Sequence, residues 1–264
     1  MRQRKPKNLQ ERLNIYRHLL VEEPESQKGE WRGLFRERFE ARRGETPCRA
    51  AEAAPGETDM APDFETGVCA DRRGVDTCAF FEQDTKLFLE LGTGKGRFIT
   101  SKAEADRGSL FIGVEGRESV ILRALEKAEG AQLANVLFSR YYVKNALNMF
   151  AAGELDGIYL NFSDPWPKDR HEARRLTFGG RLTEYEKILK PGGFLEFKTD
   201  NRDFFDYSYR EIDAANFTVV EVSTCLQDSQ LAARFTLTEY EERFIRWRRD
   251  IYFIRAIIEP QFCV

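Results

Sequence analysis

The chain has 264 residues, 42% of them hydrophobic and 32% charged, with a formal net charge of −3 and a pI near 5.7. That length suits one sizeable α/β domain with an appendage. No apolar run approaches the ~18 residues of a membrane span, and the N-terminus MRQRKPKNLQ lacks the hydrophobic stretch of a signal peptide, so the sequence reads as a soluble, cytoplasmic protein without a membrane partner. The five cysteines, Cys48, Cys69, Cys78, Cys225 and Cys263, form no C-x-x-C pair and have only His18 and His171 beside them, which favours free thiols over a metal centre. A mildly acidic total argues against an RNA binder, but the charge is uneven, and local patches decide encounter with a polyanion.

Residues 1–43 carry twelve Lys or Arg against seven Glu and form a basic arm. Arg2, Arg4, Lys5 and Lys7 at its head are either a loose tail or a track for phosphates. Residues 44–84 reverse the sign, with ten acidic against three basic residues, and their Ala-, Gly- and Pro-rich composition without a period predicts a flexible acidic insertion. A regular domain is expected over 85–264. It opens with strand KLFLEL, a Gly-rich turn, a helix from about Arg97, strand SLFIGVE and a helix beginning near Glu118, a right-handed βαβ unit. Further strands are expected at NVLFSRY, GIYLNFS, GFLEFKT, FTVVEVS and YFIRAII, with helices near 144–152, 179–190 and 203–214. Alternating strands and helices predict an α/β fold: a Rossmann-like, doubly wound, mostly parallel seven-stranded sheet. Its last two strands, distant in sequence, would pair as an antiparallel edge.

Glu90 ends the first strand, and Gly92, Gly94 and Gly96 follow in GTGKG, where glycine lets a ligand approach the backbone closely. Position 97 is Arg, so the spacing is G-x-G-x-G and the dinucleotide fingerprint is broken. The pattern E-x-G-x-G-x-G instead resembles the first motif of S-adenosylmethionine methyltransferases. Glu115, at the end of FIGVE, matches their ribose-binding carboxylate. The plain alternative is a tight turn beside an exposed strand end.

The run YLNFSDPWPKDRHEARR, from Tyr159 to Arg175, packs three chemistries into one loop. A buried strand delivers Asp164 to its C-terminal end, where ligands of open α/β sheets collect. Pro165 and Pro167 stiffen the backbone around Trp166, which is either a ring platform or core filler. Lys168, Arg170, Arg174 and Arg175 follow, a cationic cluster suited to phosphates or simply a solvated helix face, with His171 among them. Carboxylate, aromatic and cations together point to a nucleic-acid base.

With these motifs in order, together with EPESQKGEWRGLF, KPGGFLEFKTDNR and TEYEERF, the chain resembles the bacterial TrmB-type tRNA (guanine-N7)-methyltransferase family, whose members methylate guanine 46 of the tRNA variable loop. The resemblance implies S-adenosylmethionine as cofactor and tRNA as partner, in a monomer or homodimer. It also implies cofactor binding by Glu90, Glu115, the glycine turn and the positions of Tyr142 and Asp164, methyl transfer at Asp164, and substrate contact by Lys168, Asp200 and Thr238, Glu239, Tyr240 and Glu241. The chain departs from the family where an Asp-Ala pair usually holds adenine: Tyr142 and Val143 stand there. Backbone amides, Asn145, another polar side chain or stacking on tyrosine would replace the lost acceptor. For Asp200 an N-cap role on the next helix is the alternative, for Asp164 an Asp-Pro turn, and for Thr238 with Glu241 a capping box. The competing functions are an amino methyltransferase, since DPWP resembles a D-P-P-Y loop, and a noncatalytic RNA binder.

Overall fold

The computed structural model describes residues 8–45, 84–228 and 249–259. The head of the arm with Arg2, Arg4, Lys5 and Lys7, most of the acidic insertion, the segment holding Thr238, Glu239, Tyr240 and Glu241, and Cys48, Cys69, Cys78 and Cys263 lie outside them. No helix among the described residues is long and apolar enough to cross a membrane.

In chain order the arm gives α1 (Leu9–Ile15), β1 (Leu20–Val21) and α2 (Trp31–Glu45). The domain follows with β2 (Leu87–Leu91), α3 (Arg97–Ala105), β3 (Leu110–Val114), α4 (Glu118–Gly130), β4 (Val136–Ser139) and β5 (Leu155–Asn161). It closes with α5 (Gly179–Ile188), β6 (Leu189–Thr199), α6 (Arg202–Ala214), β7 (Thr218–Ser223) and β8 (Tyr252–Ile257). All seven expected strands are present, in one sheet of order β1-β4-β3-β2-β5-β6-β8-β7. β8 runs antiparallel to both β6 and β7, while the pairs from β1 to β6 are parallel. The eighth strand, β1, comes from the arm: Leu20 and Val21 pair with Phe138 and Ser139 of β4.

The central strands LFLEL, LFIGV and VLFS are buried along their whole lengths, as apolar runs covered by helices on both faces must be. One face packs α2, α5 and α6 through Trp31, Phe35, Tyr185, Phe204 and Ile212. The other packs α1, α3 and α4 through Leu13, Phe98, Ile121 and Leu125. Gly96 stands at the tight point between α3 and α4: its φ is +75°, and a Cβ there would lie 2.4 Å from the Cβ of Ala124.

The expected helix at 144–152 is a single 3-10 turn, Ala146–Asn148. Asn145 caps it, its Oδ1 accepting from the Leu147 amide at 2.8 Å. The apolar pair Met149 and Phe150 then turns into the core. The cap of α6 falls on Asn201, whose Oδ1 accepts from the Phe204 amide at 2.8 Å, so Asp200 is not the capping residue.

Candidate active site

A cavity of about 550 Å³ opens at the C-terminal ends of β2, β3, β4 and β5, within the range of small-molecule sites. Its walls bring together residues 91–92, 114–117, 141–143, 162–164, Trp166 and part of 173–181. Of the cofactor residues expected from sequence, Gly92, Glu115, Tyr142 and Asp164 line it.

Glu90 stands one layer below that wall, 2% exposed. Its carboxylate accepts hydrogen bonds from Thr93 Oγ1 at 2.5 Å and Asn161 Nδ2 at 2.8 Å, tying the glycine turn to β5. Gly92, Gly94 and Gly96 all have positive φ, which bends the turn tightly around the β2 end. The amides of Gly92 and Thr93 donate to Val114 O, pinning the turn to β3. Glu115 is 8% exposed; its Oε1 accepts from the Arg117 amide at 3.0 Å and lies 3.3 Å from Arg117 Nε.

The loop after β5 carries backbone strain at two points. Phe162 (φ +50°) and Trp166 (φ +41°) both occupy the left-handed region that bulky residues avoid, and they flank Asp164. Asp164 is exposed, facing the cavity beside Ser163, whose Oγ is buried with no hydrogen-bond partner. Trp166 is half-buried in the cavity wall, edge-on to His171 with centroids 5.7 Å apart and beneath the Arg174 guanidinium at 4.9 Å. It is therefore not a fully buried filler. Lys168 and Arg170 are exposed beyond the cavity, at the start of the 3-10 turn Asp169–Arg174.

Arg175, expected with Arg170, His171 and Arg174 to contact RNA, is instead turned inward. Its side chain is buried under the loop, with Nε donating to Pro165 O at 3.1 Å, Nη2 donating to Trp166 O at 3.1 Å, and the guanidinium on the Tyr207 ring at 4.1 Å. It clamps the strained loop from below. Asp200 follows β6, partly exposed, with Arg249 at 3.4 Å. Asn145 spends its acceptor on the cap described above and does not line the cavity.

Arg181 and Gly116 escaped the sequence reading. Arg181 lines the cavity from α5, donating to Lys144 O at 3.1 Å, where it looked like any charged helix residue. Gly116 lies under the Tyr142 ring, and only its position after Glu115 hinted at a role.

The putative methyltransferase family model matches residues 84–254. The tRNA (guanine-N(7)-)-methyltransferase of Lachnoclostridium phytofermentans is 41% identical over 181 residues, 69% of this chain and 85% of the relative. That of Clostridioides difficile is 43% identical over 165 residues, covering 62% and 77%. Among solved structures, the 16S rRNA methyltransferase KamB shares the fold with a TM-score of 0.51 at 13% identity, covering 67% of this chain and 90% of that one. The chain thus belongs to the tRNA (guanine-N7)-methyltransferase family.

Proposed function

We propose that the chain transfers a methyl group from S-adenosylmethionine to N7 of guanine 46 in the tRNA variable loop. The observation that supports this most is the shared cavity. Glu115 stands on one wall, Asp164 on the other, and exposed Lys168 and Arg170 lie just beyond Asp164. The cavity fits the cofactor by its chemistry. The positive-φ glycine turn admits a ligand close to the backbone, the Glu115 carboxylate suits two ribose hydroxyls, and the Ser163 hydroxyl is a buried polar group still without a partner.

S-adenosylmethionine, when bound, supplies an electrophilic methyl carried on a sulfonium. Guanine N7 has a lone pair and no proton, so no residue of the chain has to act as a general base. The remaining work is positioning and electrostatics. Asp164, held by the clamped loop, accepts guanine N–H donors and offsets the positive charge that grows on the purine. Asp200, at the end of the neighbouring strand β6, shares the recognition of those donors. Lys168, Arg170, His171 and Arg174 meet the RNA backbone, while Thr238, Glu239, Tyr240 and Glu241 carry substrate contact by resemblance alone.

The test separates chemistry from binding. Asp164→Ala should lower methyl transfer to unmodified tRNA by at least about a hundredfold while S-adenosylhomocysteine binding, followed by calorimetry, stays within about threefold. Near-normal turnover in that variant contradicts the proposed site. A wild-type chain that binds tRNA but not S-adenosylhomocysteine at millimolar concentration favours the noncatalytic RNA binder.

A further inference from the structure

Tyr142 is the most exposed large hydrophobic side chain among the described residues, at 69%, and it forms part of the cavity. Its ring is packed on the backbone of Gly116, where an added Cβ would come within 2.2 to 2.4 Å of three ring carbons. Gly116 directly follows Glu115, so the ring sits next to the candidate ribose carboxylate. The sheet order β4-β3-β2-β5 sets the direction of the cavity, with Tyr142 after β4 at one end, Glu115 after β3 between, and Asp164 after β5 at the other. The transferred methyl must meet RNA at the Asp164 end. With a ribose at Glu115, a nucleobase then falls at the Tyr142 end.

The side chains there offer little to the edge of an adenine. Tyr141 bonds through its hydroxyl to Glu25, and Val143 is apolar. Arg117 is engaged with Glu115. Of the acceptors nearest in sequence, Glu118 is paired with Arg140, and Asn145 caps the following turn. What the site does offer is an aromatic ring, held by a glycine that leaves room for it.

Resting on S-adenosylmethionine as the cofactor, we propose that Tyr142 is the platform for its adenine, so that the base is recognised through its face and not through its N6 edge. Stacking on an aromatic ring is tolerant of edge substituents because every base has a π-face. The chain should therefore accept a cofactor enlarged at N6.

Calorimetric titration of the full chain with S-adenosylhomocysteine and its N6-methyl analogue tests this. The N6-methyl analogue should bind wild type within about threefold of the parent. Tyr142→Phe should keep wild-type affinity for the parent, and Tyr142→Ala should lose about tenfold, the order that base stacking supplies. Unchanged affinity in Tyr142→Ala, an equal loss in Tyr142→Phe, or a tenfold penalty for the N6-methyl group each overturns the platform while leaving the cofactor in place. Absence of S-adenosylhomocysteine binding by wild type removes the cofactor assignment and the platform together.

Discussion

Arg174 and Arg175 are neighbours in sequence with opposite surroundings. Arg174 lies over Trp166 in the cavity wall, whereas Arg175 is buried and feeds its donors to the carbonyls of Pro165 and Trp166. A buried guanidinium is tolerated only when its donors are satisfied, and here those bonds hold a loop with two left-handed residues, each of which costs about 1–3 kcal/mol. Arg175→Ala should release that strain and misplace Asp164. Methyl transfer is expected to fall about a hundredfold, the usual consequence of an ångström-scale misplacement, with cofactor affinity nearly unchanged. Arg175→Lys should not restore the rate, since an ammonium cannot span two carbonyls and stack on Tyr207. Steady-state kinetics beside calorimetry checks both, and a fully active Arg175→Ala would show that the clamp is dispensable. The four cations of this run look alike in sequence. Which of them turned inward depended on Tyr207, on the later helix α6, and no local pattern reports that contact.

At the scale of the element, β6 places two charged residues, Glu196 and Lys198, on the face that carries Phe194, both buried. Burial pushes the Glu196 carboxyl up, against the opposing pull of Arg255 and Lys102. A carboxyl raised in the folded state contributes stability that is fully present below its unfolded pKa and is lost as pH rises through the folded value. Compared with Glu196→Gln, the wild-type chain should therefore gain stability as pH falls from neutrality toward the ordinary carboxylate range. Thermal melts of the two proteins across that window provide the check, and a constant difference would remove Glu196 from the pH response. The strands themselves were legible because buried parallel strands read as apolar runs bounded by Gly, Asp and Asn. β1 was not, since two residues carry no period and Leu20–Val21 becomes a strand only beside β4. The one-turn helix at Ala146–Asn148 misled for a related reason: its apolar residues serve the core instead of a helix face.

Across the whole molecule, the arm is a working part of the fold. Trp31 is fully buried, its Nε1 donates to Met149 O at 2.8 Å, and its ring stacks with Phe150 at a centroid distance of 5.5 Å. The buried Glu154 carboxylate accepts from the amides of Gly29 and Ala151, fastening the start of α2 to the domain. Composition had marked the arm only as basic; that it completes the core is visible once Trp31 and Phe35 are placed beside α5 and β6. Trp31→Ala should cost about 3–5 kcal/mol, read from the urea midpoint, and a loss below about 1 kcal/mol would mean that the arm packs only loosely. The arm and the loop after β5 supply cations to a chain whose net charge is −3, so tRNA affinity should fall steeply with salt even though the total is acidic. The most direct measurement is to incubate unmodified tRNA with S-adenosylmethionine labelled in its methyl group and map the label by nuclease digestion and mass spectrometry. Label on N7 of guanine 46, absent when that guanine is replaced by adenine, is the predicted result; label on an exocyclic amine, at another nucleotide, or nowhere on the tRNA would contradict it.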